Sequence, residues 1–151
     1  MRGWKRCGSL LLLLNTAALA QTPCPAERAT SMRVGGQSFM VETAATPAAR
    51  ERGLSGRPRL EPNTGMWFVL PTADRHGFWM RGMRFPIDLI WVSPELKVLE
   101  RATLPLCRGT YCPITYPPAA VAYVLEVEAG RFRGRLGDRK STRLNSSHIP
   151  L

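Results

Sequence analysis

The chain has 151 residues, 44% hydrophobic and 21% charged, a balance that fits one globular domain and excludes a disordered or collagen-like chain. Its 21 Lys/Arg against 11 Asp/Glu give a formal net charge of +10, but half of that excess sits at the two ends. Residues 21–137 hold 15 Lys/Arg and 10 Asp/Glu, all of the basic residues being Arg except Lys97, with no basic stripe, so nucleic-acid binding is not the expected function.

At the front, Arg2, Lys5 and Arg6 form a positive region, Leu10 to Leu14 begin a short apolar run, and Ala18-Leu19-Ala20 before Gln21 is an A-x-A cleavage site. Residues 1–20 are therefore expected to be a removable signal peptide, and the rest a bacterial protein exported to the periplasm or beyond. Asn15 and Thr16 interrupt the run, which falls short of the about 20 apolar residues of a membrane span. Residues 21–32, with two prolines, are expected to be a flexible leader, and residues 33–137 the folded domain. The stretch 138–151 lacks periodicity and resembles translated sequencing-adapter read-through, so it is set aside as a non-native tail together with His148.

Export sets the cysteine chemistry. Cys7 leaves with the signal, and an oxidising compartment makes a disulfide the default for what remains. Cys107 and Cys112 bracket only Arg108-Gly109-Thr110-Tyr111, so they are the predicted pair. Cys24 is left as a free thiol, an intermolecular link or an alternative bridge to that loop. A zinc site would need two more ligands, and only His76 is on offer, so no metal and no cofactor is expected.

In chain order, Gly35-Gly36 reads as a hairpin turn, and the alternation of Phe39 and Val41 with Ser38, Met40 and Glu42 as a strand. Thr46 to Gly53 spells a short helix: Thr46 as N-cap, Pro47 at the first position and Gly53 as C-terminal cap, with Ala48, Ala49 and Leu54 docking on the sheet. Arg52 and Arg57 bracket its end and are expected to cap carbonyls or pair with acids. A turn at residues 61–65 leads to a strand over 66–70, then a loop over 71–77 in which His76 reads as a surface residue.

The stretch from Phe78 to Val92 reads as a short aromatic strand, a turn at Arg81-Gly82, and a second strand apolar on both faces. Ile87, Leu89 and Trp91 fall on one side; Asp88, Ile90 and Val92 fall on the other. Asp88 must therefore be hydrogen-bonded or paired, with Arg81 and Arg84 the nearest candidates in sequence. After a turn at residues 93–96 and a strand from Lys97, residues 104–118 form a long Pro-rich loop with Tyr111 and Tyr116, and residues 122–128 form a final strand. Five or more short strands and one helix predict an α+β domain, mostly β, built as a small antiparallel barrel or rolled sheet.

The run Arg52-Gly53-Leu54, Gly65 to Val69, Phe78-Trp79-Met80-Arg81, Pro86 to Ile90, Cys107, Cys112-Pro113 and Tyr123 to Gly130 resembles the DUF192 family, over about residues 33–137. The resemblance implies a compact β-rich barrel with a short helix, often behind an export signal or membrane anchor. It implies no catalytic residues, because no reaction is established for the family. Gly82-Met83 departs from the polar Asn-Thr-like pair usual there, and the closing segment after Gly137 is missing.

Polar groups that interrupt apolar strands mark the candidate site. These are Asp88 and Glu126, with Arg52, Arg81 and Arg84 as partners and Trp79, Met80, Tyr116 and Tyr123 as pocket walls. The first expectation is a ligand-binding module for a sugar or other polar molecule in the cell envelope. The second is a structural or assembly protein of the envelope, in which Asp88 and Glu126 form fixed pairs with arginines and the partner is another protein. The third is a hydrolase using Asp88 and Glu126 as a carboxylate pair, which requires both to open to one cleft.

Overall fold

The computed structural model describes residues 29–137. The expected signal peptide, Cys24 and the 138–151 tail lie outside the described residues. One sheet of six strands carries the fold: β1 (Thr30–Val34), β2 (Gln37–Ala44), β3 (Thr64–Asp74), β4 (Ile87–Val92), β5 (Val98–Leu104) and β6 (Val121–Glu128). A single helix, α1 (Pro47–Arg52), lies between β2 and β3. The strands are ordered β1-β2-β3-β6-β4-β5, and every neighbouring pair is antiparallel except β2 with β3. Parallel neighbours need a crossover, and α1 with the turns after it supplies one. The class is α+β and mostly β; the sheet is rolled and not closed, with β1 and β5 as its edges.

Local signals place the early elements. Gly35 and Gly36 take φ of 57° and 85°, the positive values that a two-residue hairpin between Val34 and Gln37 demands. β1 starts at Thr30, inside the expected leader, because Met32 pairs with Phe39 and is buried. In α1 the Thr46 hydroxyl accepts from the Ala49 N–H at 3.2 Å, and the Gly53 N–H donates to the Ala49 carbonyl at 2.9 Å. Ala49 and Leu54 dock as expected, whereas Ala48 stays exposed, since so short a helix turns only one of its two alanines inward.

Two strand readings need correction. β3 runs on through Pro71 to Asp74, beyond the expected end at Leu70. The proline is tolerated because the β3–β6 register slips between Val69 and Asp74, where no ladder N–H is required of it. Phe78-Trp79-Met80 is not a strand: Phe78 makes only one bridge, to Thr115. Pro113 and Pro117 flank that partner and cannot donate to continue a ladder. The turn at Arg81-Gly82 is present, with Gly82 at φ 76°.

β4 lies between β6 and β5 with all six residues buried, as its apolar run demands. Its two faces serve two cores. Ile87, Leu89 and Trp91 join Phe68, Val124, Ala49 and Leu54 beneath the helix and the Pro-rich loop. Ile90 and Val92 join Phe39, Val41, Trp67, Leu125, Val127 and Phe132 inside the roll. Residues 131–137 cross the open side of that roll: the Arg135 N–H donates to Gly35 O at 2.8 Å and the Gly137 N–H to Val98 O at 2.8 Å. Ahead of these ties Phe132 is 1% exposed and stacks on Phe39.

Candidate ligand cavity

On the helix side of the sheet, α1, the end of β3 and the stretch around Phe78 border an open cavity of about 440 Å³. Burial orders its lining by depth. Leu54, Phe68, Ile87 and Glu126 form the floor; Arg50, Leu70, His76, Phe78 and Met83 are half-buried in the walls; Glu51, Arg52, Ser55 and Trp79 are exposed at the rim.

Glu126 reaches the floor through the two-residue period of β6. Leu125 and Val127 point into the roll, so Val124 and Glu126 point toward the helix. Glu126 is 7% exposed, and among the described residues no hydrogen bond or ion pair reaches its carboxyl. Burial pushes its pKa up to about 8, so the group is neutral at pH 7. Among the described residues, nothing accounts for this carboxyl by pairing.

The cations around it are spoken for. Arg50 Nη1 donates to the Ala45 carbonyl and, at 3.1 Å, to the Val69 carbonyl, pinning α1 to β3. Arg57 grips Glu42 with two bonds of 2.6 and 2.5 Å, and that hydrogen-bonded guanidinium, with Arg52 adding to it, holds the Glu42 carboxyl below its ordinary range. His76 Nε2 lies 2.9 Å from the Thr72 carbonyl oxygen, which fixes the ring at the wall.

Of the residues singled out from sequence, Arg52, Trp79 and Glu126 line this cavity together. Arg81 lies outside the lining but places its guanidinium 5.3 Å from the centroid of the Trp79 ring, a cation–π contact at the rim. Tyr116 is 53% exposed and abuts Gly77 on the outer side of the same rim. Met80 is buried in the core and does not line the cavity.

Asp88 is elsewhere. It is 1% exposed, takes the Thr103 hydroxyl at 2.6 Å and the Gly130 N–H at 2.9 Å, and has neither expected arginine as partner. The β4–β5 register sets Thr103 opposite it, while Arg81 and Arg84 remain at the surface. The β4–β6 register pairs Asp88 with Val127 and Leu89 with Glu126, so the two carboxylates point to opposite faces of the sheet. They share no cleft, and a paired-carboxylate hydrolase is not built here. The expected Glu126–arginine pair is likewise absent among the described residues.

Sequence reasoning missed Arg50, His76 and Met83. His76 reads as a surface residue from sequence, yet it is half-buried, and the chain leaving the extended β3 carries it to the cavity wall. The Cys107–Cys112 disulfide is formed, with Cα atoms 4.7 Å apart, and it staples the Pro-rich loop where Arg108 and Tyr111 bridge. Among the described residues, no helix is long and apolar enough to cross a membrane, and no group of three or more His, Cys, Asp or Glu gathers as a metal site would.

No curated protein matches the chain. Among solved structures, it is similar to a protein of unknown function from Novosphingobium aromaticivorans DSM 12444, at 26% identity and a TM-score of 0.63, over 77% of this chain and 89% of that one. It is also similar to a candidate transcription regulator from Sinorhizobium meliloti 1021, at 25% identity and a TM-score of 0.60, over 67% of this chain and 80% of that one. The model of the DUF192 family, described as "Uncharacterized ACR", matches residues 30–140, and the chain belongs to that family.

Proposed function

We propose that the domain is a binding module, not an enzyme, that takes a sugar or similar small polar ligand into the cavity beneath α1. The observation that carries this reading is Glu126: a neutral carboxyl, buried, without a partner among the described residues and lining a cavity. Leaving a buried polar group unsatisfied costs about 1–3 kcal/mol, which a ligand hydrogen bond recovers. A pocket with an apolar floor and one polar group at depth is a usual form of a small-molecule site, and the half-exposed indole of Trp79 at the rim offers a stacking face. Export to the envelope is part of the proposal. It is supported by the signal-like residues 1–20 and is compatible with the Cys107–Cys112 disulfide.

The test is a thermal-shift screen of glycan fragments and other small polar molecules, followed by tryptophan fluorescence with Trp79→Ala as control. A ligand at a hundred times its Kd raises stability by about 2.7 kcal/mol, a shift read directly on a domain of this size. Binding lost in Trp79→Ala supports the reading. A flat screen overturns it and turns attention to an assembly role with a protein partner.

A further inference from the structure

We infer that the ligand is an N-acylated amino sugar, with its acyl-amide group on the cavity floor and its ring against Trp79. This rests on the sugar-binding reading above and narrows it to one chemical class.

The floor sets the demand. Leu54, Phe68 and Ile87 are apolar, and Glu126 is the one polar side chain among them. An unsubstituted hexose carries a hydroxyl on nearly every ring carbon. Buried there, each hydroxyl left without a partner loses its hydrogen bonds to water with nothing in return. An acetamido group is a different object: a methyl that fits against the apolar side chains, one strong carbonyl acceptor and one N–H. A carboxyl that holds its proton offers one O–H donor and one carbonyl acceptor, which matches that pair of amide groups. A carboxylate has no donor to give the amide oxygen, so the neutral state that burial imposes on Glu126 is the state such a ligand needs.

The rim suits the rest of the molecule. Trp79 presents its indole at 52% exposure, with the Arg81 guanidinium 5.3 Å from its ring centroid. Glu51, Arg52 and Ser55 are exposed beside it, where ring hydroxyls can bond to charged groups and to water.

The probes are the β-1,4 trimers of N-acetylglucosamine, glucosamine and glucose, titrated into the full chain by calorimetry and tryptophan fluorescence at pH 6.5. The N-acetylated trimer is expected to bind at least about tenfold more tightly than the glucose trimer, which is about 1.4 kcal/mol. Equal binding of the glucose trimer overturns the acyl assignment while leaving sugar binding in place. Binding by none of the three overturns the inference, and the wider ligand screen then judges the binding reading on its own.

Two variants keep the test sharp. Glu126→Gln retains an N–H donor and is expected to bind within about threefold of the wild type, while Glu126→Leu loses about tenfold or more. Glu126→Leu binding as well as wild type overturns the inference. The other charged or titratable groups facing the cavity are Arg50, Glu51 and Arg52 of α1 and His76 after β3; β4 presents only Ile87 there. Wild-type affinity is expected to fall as pH rises through about 8, where Glu126 loses its proton, and Glu126→Gln is expected to show no such fall. A fall shared by both forms belongs to the other groups and counts against the inference.

Discussion

The backbone N–H of Gly130 donates to Asp88 Oδ2 at 2.9 Å, tying the buried strand β4 to the turn that ends β6. The other carboxylate oxygen takes the Thr103 hydroxyl at 2.6 Å and so ties β4 to β5. Asp88→Asn leaves one oxygen for two donors and turns an NH₂ toward the other. The expected loss is about 2 kcal/mol, or roughly 10 °C in Tm. Ligand affinity should not change, since Asp88 faces away from the cavity. Circular-dichroism melting with a binding isotherm checks both halves; an unchanged Tm contradicts the structural role.

Glu126 makes stability fall as pH rises. Its folded pKa of about 8 lies above the ordinary 4.5, so both states are protonated below pH 4.5 and its contribution is intact there. Between those values the unfolded chain ionises while the folded chain does not, and stability is lost until pH passes about 8. Relative to Glu126→Gln, the wild type should lose stability on the order of a few kcal/mol across that window. Urea melts of both proteins at pH 5, 7 and 9 give the comparison. A constant difference between them would refute the assignment.

Glu42 and Arg57 supply the ordinary sign. The Glu42 carboxyl is held below 4.5, so the pair stabilises above that pH and its contribution fades as pH falls through the lowered value. Both side chains are about a third exposed, at 30% and 32%, which limits the gain by solvent screening. Arg57→Ala should cost about 1 kcal/mol at pH 7 and less in acid. A cost that did not shrink below pH 4 would point to packing of the arginine stem as its cause.

At Gly65 the strands β3 and β6 approach closely. A Cβ there would sit 2.5 Å from the Glu126 carbonyl oxygen and 2.9 Å from Val127 Cγ1. Gly65→Ala should therefore cost about 2 kcal/mol or more and disturb the floor of the cavity through Glu126 itself. Denaturant unfolding measures the first effect and ligand titration the second. A variant as stable as wild type would show that the two strands can part without penalty.

The parts of this fold legible in sequence were those whose cause is local. Thr46, Pro47 and Gly53 state a helix within eight residues, Gly35-Gly36 states a turn by backbone freedom alone, and the unbroken apolar run of β4 states burial on both faces. Where a partner decides, the reading failed. Phe78 to Met80 has strand chemistry, but the segment opposite is broken by prolines; Pro71 looked like a stop, but a register slip excuses it. The parallel pairing of β2 with β3 has no local mark at all. Glu126 was visible as a misfit in β6, yet its lack of a partner depends on where α1 places its arginines, and that is a tertiary fact.

The segment from Arg131 to Gly137 gives this architecture a direction. It crosses the roll on the side of Phe132, away from α1, and reaches the β5 edge at Val98. Gly137 therefore sits at that edge with its back to the cavity, so the segment that covers one face of the sheet leaves the mouth on the other face clear.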